Sequence, residues 1–589
     1  MEIKPVEEFL DDLSLISLNC LVADRQPYSL LMLQPGGPIY GTEERVGHSD
    51  IARGSDLCRA FLQQSLDEQA ELVIAPEYCV PWALVEEVGS GQSPIHPPEG
   101  AIWVLGCETI RPCELEQVVE RVRENGHFVY HEPIRDSNAK AKSYLNPLTY
   151  VFWCLRPGGS KILSFVIQFK TAPSRDNLDV EQRSMIVGTQ VYTFNRAQDQ
   201  IGLMSIICSD AFAYTDALVD QSHTNMLLIH IQLNSKPAHK DFSRYRSRLQ
   251  SIASHKDVEL ICLNWAGKIV QKTEGGEEKA WKNNAGSGFY IPPRKYRPSQ
   301  KLIDDAHHHG VYYSLVDHWH ALYLNQEPHA ILFQKQKVMM HAEPAATEPV
   351  TCAIPKKRWT WCQGHIEFEE SAHPNDGFDR SLMPYELISE QLETLREESP
   401  LAVERSLELL VGAPRKPERW FEVTELTCMK VGEGETIRRV TVNQDNDPHS
   451  AGVSFRKVRL QRADDAASLP GNGVPWPQPL KKLEQGFLYA WAAGSPHTNV
   501  RACADGSEAT LIFLGDESDS DNLRRIYASM SRALQTNAIN NGAELEKACD
   551  HLCLVYRKAN KLQVWGVEKV SRIDRPPESS PVDIASGED

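Results

Sequence analysis

Short apolar runs alternate with amphipathic stretches along the first half of the chain. The runs Glu71–Glu77, Ala101–Gly106 and Gly202–Ile207 are apolar at nearly every position and predict buried strands. Stretches between such runs, for example Ser55–Glu68, place apolar residues at helical spacing and predict helices. Strands that alternate with helices over this length predict a layered α/β domain.

The second half has a mixed pattern and predicts a smaller α+β region. Residues Glu386–Val411 predict two helices that meet near Pro400, because proline suits a first helical turn better than a helix interior. Residues 436–460 predict strands. The apolar run Ala509–Leu514, followed by a helical stretch over about 519–535, predicts a β-turn-α unit.

These patterns divide the chain into five predicted segments. They are an N-terminal segment (1–24), a main α/β domain (25–345), a linker (346–375), an α+β accessory domain of unassigned role (376–575) and a disordered acidic tail (576–589). A chain of 589 residues is too long for one hydrophobic core, so more than one domain is expected.

Composition and charge narrow the functional class. Hydrophobic residues make up 41% and charged residues 24% of the chain, which is typical of globular proteins. The formal net charge of −18 argues against a nucleic-acid or anionic-membrane surface over the whole chain. The chain has no run of about 18 apolar residues and no signal-peptide pattern, so we expect a cytoplasmic protein without a membrane span. The 14 cysteines are scattered, which favours reduced thiols over a disulfide framework.

One local cluster of basic residues departs from this acidic average. It consists of Arg456, Lys457, Arg459 and Arg462. Such a cluster is usually a solvated face, and contact with phosphate or nucleic acid is the alternative. The histidines of His307–His309 and His318–His320 suggest metal ligands, but no cysteine stands at a usual ligand spacing, and we expect no metal.

Three of the predicted strands end in reactive side chains, namely Glu77, Lys170 and Cys208. Each has an ordinary structural explanation, since a glutamate after a strand is usually solvated, a lysine usually extends to water and a cysteine is often part of the core. The three together suffice for acyl transfer. A carboxylate can take the proton of the thiol, and an ammonium group can stabilise the oxyanion of a tetrahedral intermediate.

The flanks of these residues carry further motifs. The motifs are Val73–Glu77, Tyr144–Asn146 with Thr149–Val151, Lys170–Pro173 with Glu181 and Gly188, Ile201–Asp210, and Asn264–Gly267. Taken together and in this order, they resemble the nitrilase (carbon–nitrogen hydrolase) superfamily over roughly residues 25–345. The resemblance implies that this part is an α-β-β-α sandwich, so the predicted fold class is α/β, with the smaller α+β region following it.

The resemblance also implies roles for single residues. Cys208 would be the nucleophile, Glu77 the general base and Lys170 the cation near the oxyanion. Glu181 would orient Lys170 or share in proton transfer, and the backbone N–H of Ser209 would contribute to the oxyanion hole. Asn264 would lie among the oxyanion and substrate-binding residues. The family needs no metal or organic cofactor and commonly forms dimers or larger assemblies.

The chain departs from the family pattern in two places. Many members carry an aromatic residue directly after the nucleophile, where this chain has Ser209, and the loop after Lys170 lacks a histidine that many amidases have. These departures leave the substrate open. The C-terminal third shows no synthetase, P-loop or polymerase signature.

The leading hypothesis is a cysteine-dependent hydrolase of a non-peptide carbon–nitrogen bond, an amide in preference to a nitrile, acting through a thioester. Its C-terminal region would control assembly or substrate access. The alternative is a catalytically silent nitrilase-like scaffold that oligomerises and binds a partner, in a setting such as bacterial defence or signalling. A weaker third hypothesis is nucleic-acid binding through the basic cluster.

Overall fold

The computed structural model describes most of the chain and divides it into two compact units. The first holds the described residues from 1 to 374 and the second those from 377 to 566. The described residues are 1–24, 26–134, 143–175, 180–194, 201–214, 225–237, 240–252, 257–273, 276–281, 286–293, 296, 298–316, 319–338, 352–362, 364–371, 374, 377–413, 440–442, 451–491, 497–516, 520–541 and 551–566.

Two large sheets form the centre of the first unit. The eight-stranded sheet has the order Glu2–Pro5, Gln190–Phe194, Gly202–Ile207, Asn225–Ile231, Asp257–Leu263, Gly288–Ile291, Trp319–Leu324 and Val311–Val316. The ten-stranded sheet has the order Glu367–Glu370, Ala353–Cys362, His329–Lys335, Tyr28–Gln34, Leu72–Val80, Ile102–Cys107, Pro147–Leu155, Lys161–Phe169 and Phe128–His131, with Ser14–Leu15 paired to Pro147–Leu155. Two smaller sheets comprise Met185–Ile186 with Tyr144–Leu145, and Glu278–Ala280, Val270–Lys272, Pro38–Gly41 and Val46–His48.

The two large sheets pack face to face. Gln168 of the ten-stranded sheet donates from Nε2 to the Ser205 carbonyl oxygen at 3.0 Å and accepts at Oε1 from the Tyr192 N–H, also at 3.0 Å. The Phe289 and Phe333 rings meet between the sheets with centroids 4.8 Å apart. Strands buried on both faces read as continuous apolar runs, which is why Gly202–Ile207 is recognisable in the sequence.

Helices cover the outer faces of both sheets. Phe61 and Leu62 of the first helix pack in one core cluster with Val73 and Ala75 of the ten-stranded sheet, while Phe242 contacts the His230 ring of the other sheet. The first unit contains the helices Ile51–Asp67, Trp82–Val88, Pro112–Glu124, Val180–Ser184, Asp210–Ala213, Lys240–Ile252 and Gln300–His308, with 3-10 turns at Val6–Phe9 and Asn19–Leu21. The arrangement is the α-β-β-α sandwich that the sequence predicts.

The ends of this unit differ from the predicted segments. Within the predicted linker 346–375, Ala353–Cys362 pairs antiparallel with His329–Lys335, and Glu367–Glu370 follows it as the edge strand. Glu2–Pro5 of the predicted N-terminal segment pairs parallel with Gln190–Phe194. The linker prediction is therefore wrong for residues 353–362 and 367–370, because sheet pairing holds polar stretches that lack a strong strand pattern of their own.

The second unit is an α+β structure built around a five-stranded sheet. The sheet has the order Phe487–Tyr489, Val500–Ala502, Glu508–Asp516, Leu552–Lys558 and Lys561–Trp565. Its helices are Phe378–Leu382, Ser389–Glu398, Pro400–Glu408, Ala451–Ala467 and Ser520–Asn541, with 3-10 turns at Leu409–Val411, Leu469–Gly471 and Gln478–Gln485. Ser399 caps the third of these helices by accepting from the Ala402 N–H at 3.1 Å, and Pro400 occupies its first turn, as predicted.

The prediction of strands over residues 436–460 is wrong. Ala451–Ala467 is a helix, and residues 440–442 form no strand. The buried positions of this helix include Arg456, Arg459, Leu460 and Ala463, which recur at helical spacing. The pattern was misread because the arginines look like surface residues, whereas two of them lie in the core.

In the described part of the chain, no helix is both long enough and apolar enough to cross a membrane. The predicted acidic tail 576–589 lies outside the described residues.

Candidate active site

The three predicted catalytic residues lie within a strand or directly after one. Glu77 falls where the pairing of Leu72–Val80 with its neighbour shifts register between Ala75 and Val80. The chain passes so close there that a Cβ on Gly106 would lie 2.1 Å from the Pro76 carbonyl oxygen, so only glycine fits. Lys170 and Cys208 directly follow their strands.

The Lys170 ammonium group joins two carboxylates in the interior. Its Nζ lies 2.8 Å from Oε1 of Glu77 and 2.8 Å from Oε1 of Glu181. The Lys170 side chain is fully buried and Glu77 is 1% exposed. Buried charges in proteins are tolerated when they are paired and hydrogen-bonded, and this cluster meets that condition.

Further hydrogen bonds fix Glu77 beside the nucleophile strand. Its Oε1 accepts from Nδ2 of Asn146 at 2.8 Å, and its Oε2 accepts from the Leu233 N–H at 2.7 Å. The Cys208 N–H in turn donates to the Ile231 carbonyl oxygen at 2.8 Å. Glu77 and Cys208 are thus held by positions two residues apart in the same segment, which aims the carboxylate at the region of the thiol.

Glu181 is held by a residue that sequence reasoning missed. The Tyr78 hydroxyl donates to Glu181 Oε1 at 2.7 Å, and the Ser174 N–H donates to Oε2 at 2.6 Å. Tyr78 has a φ of +60°, a conformation that non-glycine residues rarely adopt. Its position next to Glu77 was the available signal, but the backbone geometry that turns it toward Glu181 cannot be read from sequence.

Cys208 also stands on unusual backbone. Its φ is +43°, in the left-handed region. The His230 ring contacts the Cys208 backbone. Its Nε2 lies 2.9 Å from the Cys208 carbonyl oxygen, and its Nδ1 lies 3.0 Å from Nε2 of Gln232. This geometry requires the neutral imidazole that donates from Nε2 and accepts at Nδ1. Strained backbone of this kind is concentrated at functional sites.

Asp210 ties the turn after Cys208 to the loop after Lys170. One carboxylate oxygen accepts from the backbone N–H groups of Thr171 and Ala172 at 2.8 and 2.9 Å, and the other accepts from the Ile207 N–H at 3.2 Å. Ser209, the predicted oxyanion residue, donates from Oγ to the Ala172 carbonyl oxygen at 2.6 Å. These hydrogen bonds therefore hold the turn after Cys208 against the loop after Lys170.

Burial and neighbouring charges shift the pKa values of the cluster. Burial raises the pKa of the Cys208 thiol well above its ordinary value, and Glu77 and Glu181 add to the shift against the opposing effect of Lys170. Burial also raises the pKa of Glu77, although Lys170 counteracts it. Burial alone would lower the pKa of Lys170, but the two carboxylates reverse this and raise it, so Lys170 stays a cation at neutral pH.

A cavity opens at Cys208. It has a volume of about 1090 Å³, and Tyr78, Glu181, Cys208, Ser209 and Leu233 are among its lining residues. Cys208 itself is 5% exposed. A thiol that borders a cavity of this size is reachable by a small molecule.

Asn264, predicted among the oxyanion and substrate-binding residues, lies behind the segment that borders the cavity. It is not among the described residues that line the cavity. Its Oδ1 accepts from the Asn234 N–H and its Nδ2 donates to the Asn234 carbonyl oxygen, both at 2.9 Å. Asn264 therefore holds Asn234, and the N–H of the neighbouring Leu233 donates to the Glu77 carboxylate. Asn264 thus supports Glu77 indirectly, through this segment.

Among the described residues of the first unit, two groups have side chains close enough to share a metal ion. His48, Cys58 and Cys79 are buried, and Cys362, His365 and Glu369 lie toward the surface, with the potential ligand atoms of each group within 4.8 Å of one another. Of the histidines considered in the sequence, His307 packs on Tyr312 and His320 bonds the Tyr313 hydroxyl, while His318 lies outside the described residues.

Comparisons with known proteins return structural neighbours. No protein-family model and no curated protein matches the chain. Among solved structures, a glutamine-dependent NAD+ synthetase from Acinetobacter baumannii is 12% identical with a TM-score of 0.28, over 55% of this chain and 49% of that chain. An amidase from Nesterenkonia sp. is 11% identical with a TM-score of 0.26, over 46% of this chain and 85% of that one. Nit3 of Saccharomyces cerevisiae, a member of the nitrilase superfamily, is 13% identical with a TM-score of 0.25, over 47% and 85% of the two chains.

At identities of 11–13% and TM-scores of 0.25–0.28, these likenesses assign no activity to this chain. Identity is low and coverage is partial. The chain spans about half the length of the synthetase.

Proposed function

We propose that the first unit is a cysteine-dependent hydrolase of a non-peptide carbon–nitrogen bond, an amide in preference to a nitrile. The observation that carries the proposal is the buried cluster in which Lys170 bridges Glu77 and Glu181, together with the cavity that Glu181 and Cys208 line. The cluster supplies a nucleophile, a base and an oxyanion-stabilising cation in one place.

The reaction runs in two halves. In the first, Glu77 takes the Cys208 proton as Sγ attacks the amide carbon, and the resulting oxyanion is stabilised by the Lys170 ammonium and the Ser209 N–H. The intermediate collapses to a thioester when the carbon–nitrogen bond breaks and protonated Glu77 returns its proton to the leaving amine. In the second, Glu77 takes a proton from water, the hydroxide adds to the thioester, and the thiol regains the proton as the carboxylic acid leaves.

The pKa shifts suit this sequence. Burial and the carboxylates raise the pKa of Cys208, so the resting thiol keeps its proton and requires a base during attack. Burial raises the pKa of Glu77 against the effect of Lys170, which makes Glu77 a stronger base for the thiol proton. Lys170 remains charged throughout, held by Glu181 when Glu77 is protonated.

The open cavity favours a hydrolase over the scaffold alternative, which predicts a closed pocket at Cys208. Homo-oligomer formation and control of access by the second unit stay predictions. Nucleic-acid binding by the basic cluster loses support, because Arg456 and Arg459 are buried in the second unit and Arg462 donates to the Leu410 carbonyl oxygen.

The test is ammonia release from a panel of small aliphatic and aromatic amides and the matching nitriles. The wild-type chain is expected to release ammonia from amides, and Cys208→Ala is expected to lose that activity. A hydroxylamine-sensitive acyl adduct on the peptide that contains Cys208, found by mass spectrometry, would identify the thioester. Release that survives in Cys208→Ala, or an acyl adduct on another residue, would contradict the mechanism.

A further inference from the structure

Among the residues that the structure describes, those lining the mouth of the Cys208 cavity carry a surplus of positive charge. Its lining includes five cationic side chains, Arg175, Lys236, Arg244, Arg248 and Lys279, all of them exposed. They come from different parts of the fold, namely the loop after Lys170, the segment after Asn225–Ile231, the helix Lys240–Ile252 and the strand Glu278–Ala280. Two carboxylates, Glu181 and Asp241, line the same cavity.

The two carboxylates offset this surplus only in part. Glu181 shares the Lys170 ammonium with Glu77, so the interior cluster carries one net negative charge when both carboxylates are ionised. Asp241 lies 3.5 Å from Arg244 in an exposed i,i+3 pair, which contributes little binding energy. Arg175, Lys236 and Lys279 have no ion-pair partner within the parts of the chain that the structure describes. The chain as a whole has a net charge of −18, so a cationic mouth is a local feature rather than a consequence of composition.

The same cavity has an apolar, aromatic part. Phe212, Phe242, Tyr245 and Trp281 are among its lining residues, and Phe212 is 49% exposed. The Phe212 and Phe242 rings lie 4.7 Å apart and form one surface. The volume of about 1090 Å³ is at the upper end for small-molecule sites, and it leaves room for a substrate well beyond a simple aliphatic amide.

We infer that the substrate is an anionic amide, with an apolar body against the aromatic surface and a carboxylate or phosphate group among the cations of the mouth. This inference rests on the proposed hydrolase function and adds the substrate class to it. Arginine recognises both anions through paired N–H donors, and cations around a concave opening attract anions and speed their entry. The reacting amide then extends inward to Cys208.

The charge of the mouth can be measured with two alkylating reagents of nearly equal size. Iodoacetate is an anion and iodoacetamide is neutral, and both alkylate the same thiolate, so the ratio of their rates at Cys208 does not depend on how readily that thiol ionises. The exposed Cys113 of the same chain supplies the reference ratio. We expect the iodoacetate-to-iodoacetamide ratio to be about tenfold or more higher at Cys208 than at Cys113, and to fall with added salt.

Charge reversal localises the effect. The double variant Arg175→Glu with Lys236→Glu is expected to bring the Cys208 ratio down to that of Cys113, while Lys356→Glu, an exposed lysine outside the cavity lining, leaves it unchanged. Protection of Cys208 from iodoacetate by succinate would assign a carboxylate substrate, and stronger protection by inorganic phosphate would assign a phosphorylated one. No protection by either anion, or equal ratios at Cys208 and Cys113 in wild type, would overturn the inference.

A matched substrate pair separates this inference from the hydrolase proposal. The monoamide of phenylsuccinic acid, which has an aromatic body and a carboxylate, should be hydrolysed with a higher kcat/KM than its uncharged methyl ester. Equal or better hydrolysis of the methyl ester would overturn the anionic substrate class and leave the hydrolase intact. If neither compound nor any amide of the panel is hydrolysed and the alkylation ratio is still high, the hydrolase proposal fails while the anion-binding mouth stands.

Discussion

The two units each bury a cation between two carboxylates, and the comparison shows what makes such a cluster reactive. In the second unit Arg459 pairs with Glu408 and lies 3.7 Å from Glu404. Arg459 and Glu404 are fully buried, as Lys170 is in the first unit. By composition and burial the two clusters are alike.

Their surroundings differ. Backbone and hydroxyl donors of Val440 and Thr441 bind both carboxylate oxygens of Glu404, and the Arg459 guanidinium stacks 4.2 Å from the Phe455 ring centroid. The Lys170 cluster instead adjoins a thiol on strained backbone and a cavity. A buried cation paired with carboxylates is therefore by itself only a structural feature. The adjoining thiol and cavity distinguish the Lys170 cluster from the Arg459 cluster.

Removing the thiol should break the comparison most strongly. Cys208→Ala is expected to lower amide hydrolysis by roughly 10⁴-fold or more, because no other group forms the acyl intermediate. Cys553→Ala, a buried thiol in the core of the second unit, should cost about 1–2 kcal/mol of unfolding free energy and leave kcat/KM of the folded protein unchanged. Ammonia release and denaturant unfolding measure the two effects. Comparable losses of activity in both variants would contradict the assignment.

Removing either cation should destabilise the protein, but only the removal of Lys170 should impair catalysis. Lys170→Met and Arg459→Met each leave two buried carboxylates without their cation, which costs about 3–5 kcal/mol. Only Lys170→Met should also abolish turnover per folded molecule. Unfolding curves and kcat at matched folded concentration separate these effects. An active Lys170→Met variant, or an Arg459→Met variant that folds but is inactive, would show that the distinction between the clusters is wrong.

The buried His230, which bonds the Cys208 carbonyl oxygen, should make the stability of the first unit sensitive to acid. Burial lowers the pKa of His230 from 6.5 to about 3. The unfolded chain therefore takes up a proton that the folded chain refuses, so the stabilising contribution is complete above pH 6.5 and is lost as pH falls toward 3. Against wild type, His230→Gln should show a flatter fall in unfolding free energy between pH 6.5 and 4. An unchanged slope would mean that another group dominates.

A single hydrogen bond in each cluster gives the smallest effect. Asn146→Ala removes one donor to Glu77 and should lower kcat/KM about tenfold, with about 1 kcal/mol of destabilisation. Thr441→Val removes the hydroxyl donor to Glu404 and should cost a similar free energy with no change in kcat/KM. The pair is measured by the same assays. A loss of activity in Thr441→Val would remove the contrast.

Glu77, Lys170 and Cys208 can be singled out from the sequence because each follows an apolar run that is recognisable alone, and their catalytic roles stay predictions. Glu181 was predicted as a site residue through the family resemblance, and in the structure its Oε1 lies 2.8 Å from Nζ of Lys170. Tyr78 and His230 were missed, since a left-handed backbone angle and a contact across neighbouring strands leave no local pattern. Arg459 was misinterpreted as a surface cation, because its partners Glu404 and Glu408 lie about fifty positions away along the chain.

The most direct test of the central claim is the rate at which iodoacetamide alkylates Cys208 near neutral pH, followed by peptide mass spectrometry in wild type, Glu77→Gln and the matched Glu404→Gln. The negative charge of Glu77 raises the pKa of Cys208, so its removal by electrostatics alone would speed alkylation. Loss of a general base would slow it. The account predicts alkylation at least about tenfold slower in Glu77→Gln and unchanged in Glu404→Gln. An unchanged or faster rate in a folded Glu77→Gln variant would contradict Glu77 as the base that activates Cys208.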